Sequence, residues 1–143
     1  MATANLHEVI QASILRKAEL QLNISNMQSQ KSLAISAQAD ANSLLAHEKN
    51  AVRAEFKAMF EEDEVLQEQY KDYTEIPDFE EAIDKITAKF ETELEELAAW
   101  ESSIDAQITT DSTELEELKA YTDSYKNMLT ENISNDFNFG LNS

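Results

Sequence analysis

The chain has 143 residues, no cysteine, one glycine, one proline and a formal net charge of -18. So little glycine and proline leaves no means of building the tight turns and left-handed backbone of a β-sandwich, an α/β fold or a phosphate loop, and the implied fold class is all-α. Without clustered Lys and Arg the chain is not suited to nucleic acid or anionic lipid, and without cysteine it has neither disulfides nor thiolate metal sites.

The acidity is unevenly spread. Residues 1–50 hold four bases (Arg16, Lys17, Lys31, Lys49) and four acids (Glu8, Glu19, Asp40, Glu48), whereas residues 51–143 hold 25 acids against 7 bases. A neutral segment lies against another surface without electrostatic cost, while an acidic one repels its own copies. The N-terminal residues lack a basic segment followed by an apolar one, so no Sec signal is expected. No run approaches the length of a membrane span. The expectation is a protein that is cytoplasmic at synthesis, with export by a route without a cleaved signal left open.

A single helical domain is expected over residues 1–143, with a first arm at 4–72. Its apolar residues Leu6, Val9, Ile10, Ile14, Leu15, Leu20, Leu22 and Ile24 cover more than one stripe. Residues 23–50 are then rich in Ala, Ser, Gln and Asn, including Ala34, Ala37 and Ala41. A monomeric surface helix normally carries more Glu and Lys on its outer face. Leu6, Val9, Ile10, Ile14, Leu20, Ile24 and the alanines Ala34, Ala37 and Ala41 are therefore candidate interface positions, the alternative being an ordinary helix buried on two sides.

The bend is expected at 73–77. Pro77 disfavours helix at Ile76, so the incoming arm should stop near Asp72, and Asp78 with Glu81 forms a capping box for the next helix. The run Glu61-Glu62-Asp63-Glu64 reads as a solvated face. The second arm, 78–133, repeats itself: Phe90–Trp100 recurs as Asp111–Tyr121, an offset of three heptads. From Leu94, alternating steps of three and four visit Leu97, Glu101, Ile104, Ile108, Asp111, Leu115, Leu118, Thr122, Tyr125, Leu129 and Asn132. That is a coiled-coil seam with polar interruptions. Before it, successive steps of four through Ile86, Phe90 and Leu94 form a stutter. Trp100 and Tyr121 occupy equivalent repeat positions beside the seam, covering its edge or facing a partner. The helix is expected to run through the weak helix formers at 108–113.

Residues 134–143 are expected to form a short non-helical aromatic tail, in which Gly140 is a natural helix terminator. Phe137, Phe139 and Leu141 either fold back onto the hairpin or dock on a neighbour, and they complete the candidate interface.

Chemistry finds little footing. His7 and His47 are preceded three residues earlier by Ala4 and Leu44, so the Glu-x-x-His pairs of a di-iron bundle are missing, and neither His-Glu extends to His-Glu-x-x-His. An EF-hand lacks its central glycine. The paired glutamates at 80/81, 95/96 and 116/117 have no pocket in a thin hairpin to shift their pKa values. No catalytic residue, metal site or cofactor is expected, and the two Asn-Ile-Ser sequons at Asn23 and Asn132 read as chance.

In arrangement the chain resembles the helical-hairpin subunits of flagellar and type III secretion filaments, which also lack cysteine and a cleaved signal and bury a terminal helix rich in Ser, Gln and Ala. The resemblance lends no residue role, since no family motif sits at matched positions. Those subunits also bring both termini together as apolar helices, unlike the aromatic C-terminus here. The expected function is a structural self-assembling subunit whose partners are copies of itself. The alternatives are an acidic adaptor or chaperone that binds another helical protein, and a small virion or tail-assembly component.

Overall fold

The computed structural model describes residues 2–142, with side chains through residue 138. It is an all-α helical hairpin: α1 (Thr3–Glu62), a short α2 (Glu64–Gln69), a 3₁₀ turn (Tyr73–Glu75) and α3 (Pro77–Asn142). The chain groups into two compact units, one of residues 1–30 with 103–143 and one of residues 31–102. No strand occurs among the described residues.

α1 runs unbroken because nothing in it resists a helix: it contains neither Pro nor Gly. It stops ten residues before the expected Asp72. Glu61 and Glu62 place negative charge at the negative end of the helix dipole, with no basic residue in the last turn to offset it. Asp63 then leaves the helix (φ -113°, ψ 106°), and its carboxylate accepts a 2.9 Å hydrogen bond from the Val65 amide, capping α2. Gln67 Nε2 donates to the carbonyls of Phe60 (2.9 Å) and Glu61 (3.1 Å), two acceptors stranded by the end of α1. The acidic run is thus a helix boundary as well as a wet surface.

The connection closes around Asp72. Its carboxylate accepts from the Tyr73 amide (2.7 Å) and the Thr74 hydroxyl (3.2 Å), while Glu75 accepts from the Lys71 amide (3.1 Å). Ile76 is extended (φ -65°, ψ 122°), as the residue before a proline should be, and its side chain is buried. Tyr73 and Phe56 both meet Phe79 edge-on, at centroid distances of 5.3 and 5.5 Å. α3 starts one residue earlier than expected, with Pro77 in the first helical position, where its missing N–H costs nothing. Asp78 is consequently inside the first turn rather than the cap, and contributes with Glu80 as an acid at the positive helix end.

α3 passes through the threonine-rich stretch without interruption. The hydroxyls of Thr109, Thr110 and Thr113 donate to the carbonyls four residues back, at 3.0, 3.0 and 2.9 Å. It also continues to Asn142, so the tail expected to be non-helical from residue 134 is helical over 134–142. Asn and Gly are poor helix formers, but extending an existing helix adds a hydrogen bond for each residue fixed and needs no new nucleus.

In the unit of residues 1–30 and 103–143, α1 buries or half-buries Leu6, Ile10, Ser13, Lys17, Leu20, Ile24 and Met27 in alternating steps of four and three. α3 does the same from Ile104 through Asn132, at every seam position expected there. In the unit of residues 31–102, α1 continues the alternation with Lys31, Ala34, Gln38, Ala41, Leu45 and Glu48, and α3 supplies Phe79, Ile83, Ile86, Phe90, Leu94, Leu97 and Glu101.

Candidate functional site

The unit of residues 1–30 and 103–143 has two contrasting outer surfaces. On α1, the positions furthest from the buried row run Leu15, Ala18, Leu22, Ser25 and Ser29, each three or four residues from the last, so they share one face. All are exposed. Leu15 and Leu22 are 68% and 62% accessible, and Ile14 stands beside them. Arg16, Lys17 and Glu19 flank this stripe in sequence, and Arg16 and Glu19 pair with each other at 3.1 Å. On α3, the exposed residues include Glu116, Glu117, Lys119, Asp123, Lys126 and Glu131. α1 therefore carries an uncharged, partly apolar stripe, with Glu8, Arg16 and Glu19 exposed outside it, whereas the outer face of α3 is charged.

Arg16 fastens this unit at its edge. Its Nε donates to Glu114 Oε1 at 3.0 Å and its Nη2 to Oε2 at 3.1 Å, a two-pronged clasp between α1 and α3. The guanidinium is held above its ordinary pKa first by the hydrogen bond to Glu114 and then by that to Glu19. Inside, Asp111 is buried and accepts from Gln107 Nε2 (2.9 Å), and the buried Thr122 hydroxyl donates to the Leu118 carbonyl (2.7 Å). No buried side-chain polar atom among the described residues lacks a hydrogen-bond partner. The polar interruptions of the seam are thereby accommodated.

The unit of residues 31–102 carries a different feature. Ala37, Ala41 and Leu44 of α1 face Leu97 and Trp100 of α3 across a groove of about 550 Å³, with Asp40, Glu93 and Glu96 completing its lining. At one end Gln38 Nε2 donates to Glu101 Oε2 at 2.7 Å, joining the two helices through a partly buried polar contact.

The candidate interface residues divide on this geometry. Leu6, Ile10, Leu20, Ala34 and Ala41 are buried between the helices of their own chain. Val9, Ile24 and Ala37 are half-buried. The fully buried positions pack the hairpin itself, and Ala37 and Ala41 in addition line the groove beside Trp100. Ile14 and Phe137 are exposed, the latter at 65%, so Phe137 does not fold back onto the hairpin. The side chains of Phe139 and Leu141 lie outside the described residues. Sequence reasoning passed over Leu15 and Leu22 as interface residues. Their seven-residue spacing, on the side opposite Leu6, Ser13 and Leu20, was the signal that distinguishes them.

Among the described residues no three His, Asp or Glu side chains gather to hold a metal ion, and no helix is long and apolar enough to cross a membrane. No family model, curated protein or solved structure matches this chain.

Proposed function

We propose that the protein is a structural, self-assembling helical subunit, which associates with copies of itself through the outer face of α1 around Leu15 and Leu22. The exposure of these two leucines on an uncharged stripe is the observation that carries the reading. A contiguous apolar stripe marks an interaction surface, whereas leucines scattered singly need no explanation. Charge orients the contact. Acidic outer faces of α3 on two copies repel each other, so neutral α1 faces are the surfaces that approach at least cost. An isologous contact between two such faces closes a dimer, and a heterologous one propagates a filament. The alternating burial along both arms supports describing the pair as an antiparallel coiled coil.

The test is light scattering after size exclusion over a range of concentrations, with negative-stain images of the same samples. Mass should rise with concentration, and more so in high salt, which screens the acidic arms. Leu15→Glu with Leu22→Glu should leave a monomer at all concentrations, with helicity unchanged by circular dichroism and stability moved by no more than about 0.5 kcal/mol, as for exposed positions generally. A wild-type chain that stays monomeric throughout would sink the proposal.

A further inference from the structure

We infer that the groove beside Trp100 is a docking site for a basic amphipathic helix of a partner protein. The groove exists because α1 offers only methyl groups at Ala37 and Ala41, where α3 presents Leu97 and Trp100. Ala41 is buried, Ala37 and Leu97 are half-buried, and Trp100 remains 41% accessible, so the floor is apolar and part of an indole is available to a ligand. The rim is anionic on both sides: Asp40 on α1, Glu93 and Glu96 on α3, all exposed. No basic residue lines it.

Charge complementarity selects the occupant. Residues 31–102 hold 19 acids against 7 bases, so the same region of a second copy is repelled. An uncharged apolar helix would take water from the three carboxylates and return no partner for them. A helix with a ridge of Leu and Ala flanked by Lys and Arg satisfies both parts of the site. Its ridge lies on the alanines and Leu97, its cations meet the rim carboxylates from either side, and one of them can sit over the indole ring. The groove uses none of the residues of the proposed self-association, so either reading stands without the other.

Trp100 is the only tryptophan in the chain, which makes its emission a reporter at the site. The probe is a tryptophan-free synthetic peptide of about five helical turns, with a Leu/Ala ridge between Lys and Arg rows. Titration should give a saturable blue shift of Trp100 emission. Asp40→Lys combined with Glu93→Lys and Glu96→Lys should weaken binding by about tenfold or more, whereas the same reversal at Glu116, Glu117 and Asp123 should leave it within about twofold. Four results overturn the inference: no emission shift; equal loss in both triple variants; equal binding by a peptide of the same composition with its ridge scrambled; or a shift driven by protein concentration alone, which would make a second copy the occupant. Light scattering on the same samples reads self-association independently.

Discussion

The two units of the hairpin close their helix pairs with different materials. In the unit of residues 1–30 and 103–143, Leu6, Ile10 and Leu20 fill the contact from α1, and the remaining leucines of that segment, Leu15 and Leu22, point outward. In the unit of residues 31–102, α1 contributes Ala34 and Ala41 where the first unit has leucine, and the large buried side chains are Ile76 and Phe90. Charge differs as well: 10 acids against 4 bases in the first unit, 19 against 7 in the second. The size of the seam residues thus decides where apolar surface is left over. Large residues close the gap between helices and leave the available face on the outside of one helix, while alanines leave it between them, as a groove.

The largest test of this contrast removes one anchor from each unit. Phe90→Ala should cost about 3–5 kcal/mol and Leu20→Ala about 2–5 kcal/mol, both measured by urea denaturation, because each leaves a cavity in a well-covered position. An Ala34→Gly control should cost only about 1 kcal/mol, the helix-propensity difference with little packing loss. If Ala34→Gly matched Leu20→Ala, the distinction between leucine-filled and alanine-filled seams would fail.

A smaller effect of opposite sign is expected at the groove. Ala37→Leu adds apolar volume over Leu97 and Trp100 and should stabilise the chain by about 1 kcal/mol, as cavity-filling substitutions commonly do. It should also raise the fraction of buried indole, seen as a blue shift of Trp100 emission without peptide, and should block the basic helix. A destabilised variant would mean that the space is needed by the backbone approach at Ala41.

Much of α3 was legible in the sequence and much less of α1, for a physical reason. The seam of α3 is largely apolar, so spacing alone located Leu97, Ile104, Leu115 and Leu118, and the exact heptad offset carried the register through Asp111 and Thr122. On α1, polar residues occupy seam positions (Ser13, Lys17, Lys31, Gln38, Glu48) while Leu15, Leu22 and Leu33 lie outside it. Hydrophobicity therefore pointed to a broad apolar helix rather than to one row. Only the partners on α3 reveal the row: Glu101 accepting from Gln38, and the packing of Leu20. The turn was legible at Pro77, which fixes Ile76 as extended, but not at Asp63. There a run of like charges ends α1, and its caps are supplied by Asp63 and Gln67, side chains whose roles depend on where the chain has already turned.

The smallest expected effect concerns the Arg16 clasp. Arg16→Ala removes a two-pronged contact between α1 and α3, but both side chains are over 40% accessible, and exposed ion pairs are weakened by solvent and by the ordering of two long side chains. The variant should lower the melting temperature slightly, and the difference should shrink as salt is raised and screening shortens. Because the guanidinium pKa is raised in the folded state, its contribution is present at every pH below the ordinary arginine value and fades only as pH climbs through the folded one. No pH dependence should therefore arise from Arg16 across the neutral range. Arg16→Lys should recover part of the loss, the charge but not the fork. A large loss that salt does not reduce would show that this unit is held by its polar clasp. The leucine seam would then no longer explain why its outer face on α1 is free.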